Sequence, residues 1–121
     1  MIRIVGVQRS EVAQQEFVLL QNQGNIREQL RGRALIEDAA FHESQGGIHL
    51  FGDDIRIGPG QFVMLRTCAG EPHWGTSKDG ALVYFTYANR NATIWSTVSQ
   101  PMHLLSVDHT LVPRSDSAIL V

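Results

Sequence analysis

The side chains of this 121-residue chain that could carry chemistry are five histidines, twelve carboxylates and one cysteine. A zinc site needs three or four ligands converging tetrahedrally, and its sequence signature places ligand pairs about two to five residues apart. The closest histidine pairs, His42 with His49 and His103 with His109, are wider than that and have no cysteine pair beside them, so they read as surface or turn residues. Asp53 and Asp54 follow Gly52, which is ordinary turn chemistry without the alternating oxygen ligands of a calcium loop. No metal site is expected.

Nucleophilic catalysis could be drawn from Ser106, Asp108 and His109, or from Cys68 with His73. Neighbours on one strand point to opposite faces, so Asp108 and His109 cannot both address Ser106. Cys68 follows an apolar strand and reads equally well as a small buried hydrophobe. The glycine-bearing IGPGQF runs into a strand pattern rather than a helix, so it is no phosphate loop. These readings exclude an enzyme and predict no cofactor.

The basic residues are nearly all arginine, Lys78 being the one lysine. Arg31 and Arg33 lie two apart, on one face if the segment is a strand, with Arg27 close by; such a fork suits carboxylate or phosphate. The competing reading, a solvated face with Glu28 and Glu37 as neighbours, is preferred because the formal net charge is only -2. Tyr84, Phe85 and Tyr87 could line a sugar or peptide groove, but ALVYFTYA reads first as a central strand.

These side chains need elements to hold them. The length is that of one domain over 1–121, able to bury about two-thirds of the surface its unfolded chain exposes. A composition 43% hydrophobic and 18% charged excludes a disordered charged segment. One cysteine forms no internal disulfide, so packing must hold the fold. No stretch has the apolar length of a membrane span and no signal peptide is evident, which makes a cytoplasmic location the default expectation.

The pattern predicts strands at IRIVGVQ, EFVLLQN, RALIED, GIHLF, DIRI, QFVMLRT, ALVYFTYA, ATIWSTV and MHLLSVDH, separated by turn residues in NQGN, SQGG, FGDD, IGPGQ, SKDGA and ANRNA. Many short, evenly spaced strands predict an all-β sandwich or barrel. A short helical turn within 24–41, on Ile26, Leu30 and Ala34, is the minority reading of that segment, interrupted by Gly24 and Gly32.

The segments Glu16 to Gly24, Leu30 to Asp38 and Ile57 to Leu65, taken in order, resemble the lamin-tail domain. Glu16 to Gly24 is similar to its opening strand, Leu30 to Asp38 to its Leu-x-Gly-Trp-x-Leu-x-Asp strand, and Ile57 to Leu65 to its Pro-Gly hairpin. HLFGDDIRI fits the aromatic-rich strand before that hairpin, and the stretch from Gly70 to Val98 fits a variable loop, an Asp-Gly-Ala-Val strand and the closing strand. The resemblance spans 16–112 and implies an immunoglobulin-like β-sandwich of lamin-tail type, a non-catalytic structural or protein-interaction module. Its chromatin association is the route by which nucleic acid enters as an alternative; carbohydrate or metal binding is a further one. Arg33 stands where the family carries Trp, and Trp95 is a candidate to fill that volume.

Alternation places Ile2, Ile4, Val18, Leu20, Leu35, Val63, Leu65, Val83, Phe85 and Ile94 toward the core. With Val18 and Leu20 inside, as the family pattern implies, Phe17, Leu19 and Gln21 face outward, Leu19 at a position where relatives commonly carry Glu. An apolar outer face calls for a cover: a protein partner, a second copy, which is favoured, or the tail Ser117 to Val121.

Overall fold

The structure is a computed structural model, and it describes residues 1–42 and 46–106. Ten strands run through it: β1 (Ile2–Gln8), β2 (Phe17–Asn22), β3 (Glu28–Gln29), β4 (Ala34–Glu37), β5 (Ile48–Leu50), β6 (Arg56–Ile57), β7 (Phe62–Arg66), β8 (His73–Thr76), β9 (Leu82–Tyr87) and β10 (Met102–Leu105). The fold is all-β. Short 3₁₀ turns occupy Ala13–Gln15 and Asp38–Phe41.

The strands form a five-stranded sheet in the order β1-β2-β7-β9-β8, a three-stranded sheet β10-β4-β5 and a two-stranded ribbon β3-β6. All pairings are antiparallel except β7 with β9, which the chain reaches by first laying β8 at the edge and returning between them. A register shift between Ile4 and Gly6 bulges β1.

Val18, Leu20, Val63, Leu65 and Tyr84 of the large sheet share one core with Leu35 of the small sheet and with Leu30, Phe51, Ile57 and Trp95 from the segments between them. Side chains alternate across a strand, and β2 shows the period plainly: Val18, Leu20 and Asn22 are buried while Phe17, Leu19 and Gln21 are half-exposed. Asn22 is a buried polar member whose bonds are made within the core. The Asn22 amide donates to the Ile26 and Ile57 carbonyls at 2.8 Å each, tying the large sheet to the ribbon.

Two carboxylates replace a strand. Glu16 and Glu37 are both fully buried. Glu16 accepts from the Thr67 hydroxyl at 2.6 Å, from the Ile94 N–H at 2.8 Å and from the Trp95 N–H at 3.3 Å. Glu37 accepts from the Gly47 N–H at 3.0 Å, the Ser96 N–H at 2.9 Å and the Arg9 guanidinium at 2.7 Å, while Arg9 also donates to the Ser96 and Gln100 carbonyls. Because the N–H groups of 94–96 point at carboxylates, they are withdrawn from any ladder, and ATIWSTV is not the predicted strand. This anchoring seats the Trp95 ring in the core, where its indole N–H has no hydrogen-bond partner among the described residues.

Other expectations are also corrected. The segment 24–41 forms no helical turn on Ile26, Leu30 and Ala34. Ile26 is exposed while Leu30 is buried, Gly32 turns the chain at φ +90°, and the one helical turn present, at Asp38–Phe41, lies beyond them. Val83 is buried as expected, but it and the half-exposed Phe85 lie on the outer face of β9, with Tyr84 and Thr86 inward, because the phenol and hydroxyl of those two reach Asp53 at 2.9 and 2.8 Å. Residues 73–76, expected in a loop, form β8. The Pro59-Gly60 turn does not close a hairpin, since β6 pairs with β3 and β7 with β2.

Candidate interaction surface

Cross-strand pairing resolves the outer face of the large sheet into three rows. The first runs Arg3, Gln21, Phe62, Val83, Gly75; the second Gly6, Leu19, Met64, Phe85, His73; the third Gln8, Phe17, Arg66, Tyr87. Apolar side chains hold the middle and the two arginines stand in the outer rows. Phe17, Leu19, Phe62, Met64 and Phe85 are all half-exposed, and Leu19, Phe62, Met64, Val83 and Phe85, with Thr76 and Ser77, line a groove of about 210 Å³. Phe17, Leu19 and Gln21 thus stand together on the side away from the core, with Leu19 in the groove.

β8 shapes the groove's far side. A Cβ at Gly75 would stand 2.9 Å from Cε2 of Phe85, so the missing side chain is what lets that ring lie over β8. The His73 ring stacks on Phe85 with centroids 4.9 Å apart and 13° between planes, and on Tyr87 at 6.1 Å. Histidine therefore extends the apolar floor. A period-two reading of HWGT alone does not reveal this; the signal is a glycine diagonal to an aromatic, since Gly75 pairs with Val83 and Phe85 with His73.

The arginines predicted as an anion fork are brought only partly together. Arg31 and Gly32 form a turn rather than a strand, so Arg31 and Arg33 do not share a strand face. Both line a recess of about 320 Å³ with Glu28, Gln29 and Ser106. There Arg33 donates to the Glu28 carboxylate, the Ser106 hydroxyl and the Gln29 carbonyl, each at 2.9 Å, which occupies much of its fork. Arg31 is exposed at the recess and Arg27 is exposed outside it.

The histidines regroup across the predicted pairs. His103 approaches Asp38 at 2.9 Å and His42 approaches it at 3.7 Å, whereas His49 lies edge-on to Phe51 at 4.9 Å. Burial lowers the pKa of His49, with Arg90 acting in the same direction and Asp53 opposing. Among the described residues no group of three or more His, Cys, Asp or Glu is placed to hold a metal ion. Ser106 accepts from Arg33, and Nδ1 of His73 lies 2.9 Å from the Glu71 carbonyl. Asp108, His109 and the tail Ser117 to Val121 lie outside the described residues.

Sequence reasoning missed a second apolar face. Ala34, Ile36, Ile48, Leu50, His103 and Leu105 share the outer side of the small sheet, and Leu50 is 64% exposed. The alternation of IHL carried the signal, but the neighbours that complete the patch come from β4 and β10. Comparison with protein-family models, with curated proteins and with solved structures returns no match.

Proposed function

We propose that this protein is a non-catalytic interaction module, an immunoglobulin-like β-sandwich of lamin-tail type that binds another protein through the outer face of its five-stranded sheet. The observation that carries the reading is the apolar groove among Leu19, Phe62, Met64, Val83 and Phe85 at the middle of that face. Water disfavours such a surface by about 25 cal/mol per Å² of apolar area, so covering it drives association. The groove is small beside the roughly 300–1,000 Å³ typical of small-molecule sites, which fits the insertion of a protein side chain better than a whole ligand. Leu19 is central because a carboxylate there sits opposite Met64 and spoils the groove without touching the core.

The test is Leu19→Glu. It keeps the circular dichroism spectrum and costs less than about 1 kcal/mol of stability, since the side chain stays on the outer face. Association, seen as dimer in sedimentation or as a co-purifying protein, is lost. An unchanged association contradicts the reading. Nucleic-acid binding through Arg27, Arg31 and Arg33 is the weaker reading, because Arg33 is already bonded to Glu28.

A further inference from the structure

The charged groups of this face say what kind of protein segment it takes, an inference that rests on the reading above. Arg3 and Arg66 are the fixed charges among its strand positions, and no carboxylate stands with them. Arg3 is exposed and Arg66 half-exposed, and neither is in an ion pair among the described residues. The acid nearest in sequence to Arg3 is Glu11 and the one nearest to Arg66 is Glu71, and neither stands on a strand. Strand geometry sets the distances: Arg66 is two residues along β7 from Met64, about 7 Å, and Arg3 is two strands across from Phe62, about 10 Å. The apolar floor thus has an arginine position on two sides, at the spacing of residues on one extended segment, and the Arg3 Nε–H donates to Met1 Sδ at 2.8 Å.

We infer that the five-stranded face binds a segment of another protein in which aliphatic side chains are flanked by carboxylates. The aliphatic groups fill the groove between Leu19 and Phe85, and the carboxylates meet Arg3 and Arg66, whose planar forks suit bidentate pairing. A second copy fits less well. Two such faces packed about a two-fold axis bring the arginines of both copies into one interface with no carboxylate from either face, and buried like charges are costly.

The probes are two labelled peptides, one alternating Leu and Val with Glu, the other with Lys in place of every Glu, titrated into the full chain by fluorescence anisotropy. At low salt the Glu peptide binds about tenfold more tightly than the Lys peptide, and the preference collapses near 1 M salt, where the Debye length is about 3 Å. The double variant Arg3→Glu with Arg66→Glu, folded by circular dichroism, reverses the preference, and Leu19→Glu abolishes binding of the Glu peptide. Equal binding of both peptides, lost in Leu19→Glu, overturns the acidic partner while leaving the interaction face standing. So does a wild-type dimer that Leu19→Glu dissociates, with no peptide bound. Binding of neither peptide, with association of the wild type indifferent to Leu19→Glu, overturns both.

Discussion

Tyr84 and Asp53 show how one inward side chain is committed to structure. Burial first, and then the hydrogen bond and charge of Asp53, push the Tyr84 phenol from its ordinary 10.0 up to about 12. The unfolded chain releases this proton near pH 10 while the fold retains it, so the contribution is fully present below pH 10 and is lost as pH rises toward 12. A tyrosinate absorbance titration of the folded protein therefore contains a late component, absent in Tyr84→Phe. His49 gives the acid-side counterpart. Its lowered pKa means the unfolded chain binds the extra proton first, so stability falls as pH drops below the ordinary 6.5. Chemical denaturation of wild type and His49→Gln between pH 7 and 5 checks this, the variant losing less across that interval. Gly47 is the residue where space decides: a Cβ would stand 2.5 Å from the Ile94 carbonyl oxygen and 2.7 Å from the Trp95 ring. Gly47→Ala costs about 1–3 kcal/mol by overpacking, read from urea midpoints.

Elements were legible in the sequence where a strand needs only its own alternation. IRIVGVQ appears as β1 at the expected residues and EFVLLQN as β2 without its first residue, Glu16, and the apolar run Phe17 to Leu20 that breaks alternation is explained by two apolar faces rather than one. What the sequence hid depends on distant partners. ATIWSTV has strand composition, yet Glu16 and Glu37 capture the N–H groups of 94–96 from far along the chain. β8 was hidden because its glycine is a cavity for Phe85 rather than a turn. The groove is half legible: the alternation of β2 alone puts Leu19 on the outer face, but that of ALVYFTYA points Val83 and Phe85 inward, because the hydrogen bonds of Tyr84 and Thr86 to Asp53 are invisible in an apolar run. If the carboxylates hold the 94–96 segment, Glu16→Gln or Glu37→Gln speeds amide exchange there before anywhere in β2 or β7, with a loss of about 1–3 kcal/mol. Arg9→Ala goes further, about 3–5 kcal/mol in denaturant, because it leaves the Glu37 carboxylate buried without its cation.

At the scale of the molecule, two sheets bury their inner faces in one core and leave both outer faces partly apolar. The faces differ in charge and shape. The large sheet offers a groove with Arg3 and Arg66 on the same face, whereas the small sheet offers Ile48 and Leu50 with no arginine or lysine at its strand positions. Leu19→Glu and Ile48→Glu therefore place the same charge on opposite sides of one fold, and each serves as the other's control. The account is tested most directly by purifying tagged wild type, Leu19→Glu and Ile48→Glu from the protein's own cells and comparing what each retains. The interaction-face reading predicts a discrete protein retained by wild type and by Ile48→Glu and lost from Leu19→Glu. Retention of the same protein by all three variants would contradict it.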